Sequence, residues 1–340
     1  GFQITFSVAK NENPINQLIS IGFFDAISTR VVIIATLNGV PNVLIDGVIT
    51  QLQSVPSNEA SKSIVTITGE DISLLMDLIE ITAPLPALPD TAKVYTLLSP
   101  FHFLGITPVV IPTMVSTISS PTNSWETATK QTPLRYLRNL AQENGYVFQI
   151  IPGPLPLQNI AYFGSHVNIP LPQKALSVNM DAHSNVENIS FTTDGLAKKV
   201  NIYTIFDEVT KKITIPVPVP NINILKPPLG LRPVQPVMKT TFADAFSKKK
   251  SGEAAKKILS DLMSSENNPP SIKANGSLNV LRYNGILRFG MLVGVRGAGI
   301  AYDGLYAVDS VTHSIKKGEY KQSFTLSRDG IVSNVPALIV

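Results

Sequence analysis

Eight Asn-Gly or Asp-Gly pairs punctuate this chain of 340 residues. Such pairs reach the left-handed backbone region at little cost and favour tight hairpin turns. Between them lie short β-branched and alternating runs. In "GFQITFSV", Phe2, Ile4, Phe6 and Val8 share one parity, and Gln3, Thr5 and Ser7 the other. Period two predicts a half-buried strand. "VVIIATL" (31–37), "VLIDGVITQL" (43–52) and "SIVTITG" (63–69) follow, with Asn38-Gly39 and Asp46-Gly47 expected as turns. With few strong helix patterns in between, the chain reads as mainly β.

The clearest helix is "TPLRYLRNLAQENGY" (132–146). Thr132 suits the N-cap and Pro133 the first turn, and Gly145 suits the left-handed position that ends the helix. Leu134, Leu137, Leu140 and Ala141 form its apolar stripe, and "YVFQII" (146–151) continues as a strand. "GEDISLLMDLIE" (69–80) reads as a short helix or an extended rim. A second helix is expected over 251–265. Residues 216–236 hold seven prolines. "IPVPVP" cannot donate a regular hydrogen-bond ladder, so it is an edge strand or a polyproline-like connector. The last block, 276–330, returns to strands. Tyr320, Gln322, Phe324 and Leu326 alternate as one strand; upstream, Tyr306 and Val308 share one parity and Val311 and Ile315 the other, which predicts a bulge near Asp309 and Ser310. The first and last blocks resemble each other in strands and tight turns, so two similar β units are expected. The divisions read from the sequence are a first β-barrel unit (1–80), a helix-containing insert (81–155), a β segment completing the barrels (156–206), a proline-rich connector with a short helix (207–270), and the hairpins of a second barrel (271–340).

Charged residues are only 15% of the chain and the net charge is +4. The low charge has two readings: surface covered by partner subunits, or a large core with Ser, Thr and Asn outside. The only lysine run is Lys248 to Lys250, near Lys256 and Lys257. It reads as a solvated loop rather than the basic patch that nucleic-acid binding needs. The absence of cysteine excludes disulfides, thiolate zinc sites and cysteine nucleophiles. The longest apolar stretch, 104–118, is broken by Pro108 and Pro112 and falls short of the roughly 18 residues a membrane helix needs. The N-terminus lacks a basic region followed by an apolar run, so it is not a signal peptide. It opens on Gly1 rather than methionine, which points to a short leader removed or left out.

"GVRGAGIAYDG" (294–304) is the densest glycine cluster. A dinucleotide loop needs a third glycine and a following helix. Tyr302 takes that third position and a hairpin pattern follows, so the segment reads as a turn where backbones pass closely. Histidines 102, 166, 183 and 313 stand singly, without metal-ligand spacing. There is no Gly-x-Ser-x-Gly elbow. Glu126, Glu143 and Asp181 are not singled out as a glycosidase pair, and Trp125 reads as a packing anchor. No catalytic, metal or cofactor site is assigned.

"QTPLRYLRNLAQENGYVFQI" (131–150), "IAYFG" (160–164), "LSVNMDAHSNVENISFTTDGLAKKV" (176–200) and residues 290–330 together resemble the late control gene D and VgrG hub family. The resemblance is weakest over 207–270. It implies the central baseplate hub of contractile phage tails and contractile injection systems. Such a hub is a homotrimer with two tube-protein-like β-barrels per chain, so three chains present a pseudo-sixfold ring between a hexameric inner tube and a trimeric spike. The chain ends without the oligosaccharide-binding-type and spike domains of VgrG proteins, so a separate spike polypeptide is expected. Baseplate wedge proteins are further expected partners, with assembly in the bacterial cytoplasm and neither cofactor nor enzymatic activity. Interface anchors are placed at Arg282, Tyr283, Arg288, Arg296 and Tyr302, with ordinary barrel packing or a solvated turn as the competing expectation for each. The rival functions are a cell-wall hydrolase on a β scaffold and an outer-membrane barrel. The second is disfavoured by irregular strands and abundant proline.

Overall fold

The structure is a computed structural model. It describes residues 1–8, 14–57, 63–85, 88–113, 126–165, 169–207, 212–220, 228–234, 237–243, 258–264 and 268–334. Trp125, His166, the Lys248–Lys250 run, Lys256 and Lys257 lie outside the described residues. The expectation of a mainly β chain is met, in curled half-barrel sheets. The chain divides into two compact units. The first holds residues 1–142 and 147–164, the second 143–146 and 165–340.

In the first unit, β1 (Phe2–Val8), α1 (Pro14–Ser20), β2 (Arg30–Leu37), β3 (Val40–Val55) and β4 (Ser63–Asp71) build an antiparallel sheet in the order β1-β4-β3-β2. The predicted alternation of β1 holds, with Phe2, Ile4 and Phe6 half-buried and their neighbours exposed. Asn38-Gly39 is the tight turn between β2 and β3, both residues at positive φ. Asp46-Gly47 is not a turn: it lies inside β3, because the pairings of β2 and β4 overlap along the strand there. Asn275-Gly276 is likewise inside a strand.

A 3₁₀ helix (Ile72–Met76), capped by Asp71, resolves the 69–80 segment. Then come β5 (Ile81–Leu85), α2 (Asp90–Leu98), β6 (Ile106–Val110), β7 (Glu126–Gln131), α3 (Pro133–Glu143), β8 (Val147–Pro152) and β9 (Asn159–Gly164). Thr132 caps α3, its Oγ1 accepting from the Arg135 amide at 3.2 Å. Leu134, Leu137, Leu140 and Ala141 are buried as the stripe predicts, and Gly145 has φ +68°. β9 groups with the first unit rather than with the strands after it, because it pairs antiparallel with β8 and parallel with β6. Phe163, fully buried on β9, alone contributes about 2 kcal/mol of apolar burial.

The second unit contains β10 (Ile169–Ser177), β11 (Val186–Thr193), β12 (Lys199–Asp207), β13 (Lys212–Pro220), β14 (Gly230–Arg232), β15 (Val237–Ala243), a helix α4 (258–263), β16 (Ile272–Asn279), α5 (Val280–Tyr283), β17 (Met291–Arg296), β18 (Gly304–Lys316), β19 (Glu319–Arg328) and β20 (Ile331–Ser333). Its main sheet runs β10-β17-β18-β19-β16-β11. The bulge expected near Asp309 sits between Val308 and Ser310. Much of the expected connector is strand. β13 is an edge strand on β12, and β15 flanks β12 on the other side. Pro216, Pro218 and Pro220 alternate along β13, opposite Thr204, Ile202 and Val200. All three therefore turn the same backbone side, the one away from β12.

The two units share a motif. Strand, helix, strand, hairpin, strand occurs as β1-α1-β2-β3-β4 and again as β16-α5-β17-β18-β19. The sheet orders correspond: β1-β4-β3-β2 and β16-β19-β18-β17. In each copy the long third strand is handed from one neighbour to the next. β3 pairs with β2 over Val40–Val48 and with β4 from Gly47 on, whereas β18 pairs with β17 up to Ala307 and with β19 from Ala307 on. Each carries a bulge just past the handover. Among the described residues, it is in the second unit only that strands, β10 and β11, are added at the two edges of the motif.

Candidate interface loops of the second unit

Two loops bracket β17. The first, between α5 and β17, is held by two glutamines that each use both ends of the amide. Gln322, fully buried, accepts from the Leu287 amide and donates to the Leu287 carbonyl, both at 2.9 Å. Gln173 of β10 does the same to Arg288, at 2.7 and 3.0 Å. Asn279 caps α5 and Asn284 closes it in the left-handed region. The helix and loop so fixed display Leu281 and Arg282 of α5 and Arg288 and Phe289 of the loop at the surface.

The second loop is the glycine cluster. β17 leads through Gly297 and Gly299 into β18, with Val295 paired to Gly304. A strand follows, not a helix, so the hairpin reading holds. A Cβ on Gly297 would stand 1.9 Å from the Val178 carbonyl oxygen, the close backbone approach expected there. Arg328 holds the loop from beneath. It is 2% exposed, donates to the carbonyls of Asp303 and Ala301 at 2.8 Å each, and lies 4.4 Å above the Tyr306 ring. Tyr306 donates to the Tyr302 carbonyl at 2.7 Å, and burial pushes its phenol well above the ordinary tyrosine range. Asp303 accepts from the Ala298 amide at 2.8 Å. At the tip, Ile300 is 83% exposed. A side chain on a loop so fully hydrogen-bonded loses little entropy on docking, which is what a contact anchor needs.

The five expected anchors fall into two groups rather than one patch. Arg282, Tyr283 and Arg288 precede β17, while Arg296 ends it and Tyr302 follows it, roughly 16 Å along the strand. Tyr283 is core: it is 1% exposed and its hydroxyl donates to the Lys174 carbonyl. Arg296 is half-buried, with Nε donating to Ser177 Oγ at 2.7 Å. Tyr302 is half-buried and stacks on Phe191, ring centroids 4.7 Å apart. The sequence reading passed over Ile300, Leu281 and Phe289 because single apolar residues in a loop carry no pattern. It gave Gln322 a place in the β19 alternation but no role, and passed over Arg328, although both continue the inward parity of that strand, where a polar side chain must find a buried partner.

Among the described residues, no group of three or more His, Asp or Glu side chains could hold a metal ion. Nor, among these residues, is any helix long and apolar enough to cross a membrane.

No protein-family model matches the sequence. No curated protein matches it either. Solved structures do resemble the fold. The 43 kDa tail protein of prophage MuSo2 from Shewanella oneidensis aligns with TM-score 0.60 at 13% identity, over 96% of this chain and 88% of that one. A tail protein from Neisseria meningitidis MC58 aligns with TM-score 0.56 at 11% identity, over 86% and 82%. The c3393 protein of E. coli, a type VI secretion component described as similar to the T4 tail proteins gp27 and gp5, aligns with TM-score 0.53 at 13% identity, over 99% and 72%. At these identities the likeness is one of fold: this chain folds like tail and secretion-system proteins.

Proposed function

We propose that the protein is a structural hub of a contractile tail or injection baseplate. Three copies form a ring that adapts a hexameric inner tube to a trimeric spike. The observation that carries this reading is the repeated motif: one chain holds the same four-strand arrangement twice, so three chains offer six. The fold likeness to tail proteins supports it. So do the clamped loops, which offer rigid apolar and arginine contacts of the kind that dominate interfaces. The work is mechanical, and interfaces of about 2,000 Å² or more would keep such a ring closed under load.

Native mass measurement of the purified protein, alone and with the tube and spike proteins of the same particle, tests the proposal. Trimers that join both are expected. A monomer that joins neither would overturn it, as would clearing of peptidoglycan in a zymogram that is lost on one carboxylate substitution.

A further inference from the structure

The β2–β3 hairpin runs on past the sheet to which it belongs. β4 covers β3 only from Gly47 onward, whereas β2 pairs with β3 down to Leu37 and Val40. Residues 31–45, "VVIIATLNGVPNVLI", therefore form a two-stranded ribbon without a single charged side chain. Ile34 is 43% and Val40 59% exposed. A lone two-stranded ribbon is marginal in water, and bare uncharged edges are ones that proteins usually guard. At its base this ribbon is firmly held. Arg30 donates to both oxygens of buried Asp46 at 2.7 Å and to the Leu104 carbonyl at 2.9 Å, and buried Asn159 donates to Asp46 Oδ2 at 2.9 Å.

The two edges of the ribbon differ. The Asn38-Gly39 turn makes Leu37 and Val40 a hydrogen-bonded pair, so Thr36 and Pro41 are a non-bonded pair whose backbone groups face outward. Pro41 thus blunts the β3 edge. On the β2 edge the outward groups belong to Thr36 and Ile34, and among the described residues neither has a partner there. The second unit shows the same place filled: β17, the counterpart of β2, takes β10 alongside it in parallel.

We propose that the β2 edge is completed by β11 of a second copy of this chain. This rests on the ring reading, in which the first unit of one chain meets the second unit of the next. β10 and β13, two of the outer edges of that second unit, carry prolines. β11 carries none, has an open side opposite β16, and at eight residues matches the eight of β2.

Two constructions test the pairing. Thr36→Pro removes one outward donor without touching a bond to β3. The protein is expected to become monomeric at concentrations where the parent is trimeric, with its thermal midpoint unchanged. Because the chain has no cysteine, Thr36→Cys combined with Thr192→Cys, treated with a short bis-maleimide, is expected to link chains to one another. This result decides the matter if the proline variant does not fold. A Thr36→Pro variant that stays trimeric overturns the inference and leaves the hub reading intact, as do links only within a chain, links to tube protein, or no links. A parent protein that is itself monomeric and joins neither tube nor spike overturns the hub reading instead.

Discussion

Gly297 and Gly299 differ in what a side chain would meet. Both have positive φ, +84° and +95°, but only Gly297 lies against backbone. Gly299→Ala is expected to cost about 1–2 kcal/mol, the strain of the left-handed region. Gly297→Ala is expected to cost distinctly more, since the Val178 carbonyl must move. Urea denaturation of the two variants ranks them. Arg328→Ala leaves the Asp303 carbonyl without its donor and opens a void beneath the glycine loop, for an expected loss of roughly 3 kcal/mol. His313 adds a pH dependence. Its Nδ1 lies 2.8 Å from the Tyr320 hydroxyl, and burial lowers its pKa while raising that of Tyr320 to about 12. Folding thus favours the neutral imidazole. The contribution is complete above about pH 6.5, the unfolded value, and is lost as pH falls through the lower folded value. His313→Gln should flatten the dependence of unfolding free energy on pH in the acid range, which denaturation across a pH series would reveal. None of these roles could be read from composition. The glycine loop was legible as a turn because a strand pattern follows it, but the arginine under it was not, since sequence shows parity and not depth.

At the level of elements, the hairpins, α3 and the bulge in β18 were legible because each depends on neighbours in sequence: a cap, a dipeptide, a phase slip. What escaped depends on distant residues. Asp46-Gly47 looks like a turn until the β4 pairing carries β3 straight through it. The pairing of β9 with β6 brings together residues some fifty positions apart. The ion pair at the ribbon base is of this kind, and breaking it from one side is expected to be expensive. Asp46→Ala strands Arg30 and Asn159, for about 3–5 kcal/mol of lost stability, whereas Arg30→Met with Asp46→Leu should recover much of that in a double-mutant cycle. The prolines of β13 suggest an experiment on solubility. Changing Pro216, Pro218 and Pro220 to threonine restores three outward donors along a free edge, and concentration-dependent self-association by light scattering is the expected result.

For the molecule as a whole, the repeated motif was faintly legible as a likeness between the first and last blocks of sequence. Its strand order was not, because order is set by pairing across the chain. The second unit is the less local of the two. Its sheet joins β10 to β17 and β11 to β16, and β14 reaches forward to β20. On the ribosome this separates the units in time. The pairings of the first unit are all available once residue 164 has emerged, while β10 and β11 must wait for partners more than seventy residues downstream. The strands at the middle of that sheet, β18 and β19, are synthesised after both of its flanks. A nascent chain therefore carries the outside of its second sheet before the inside exists, and early release would strand those flanks unpaired beside a finished first unit.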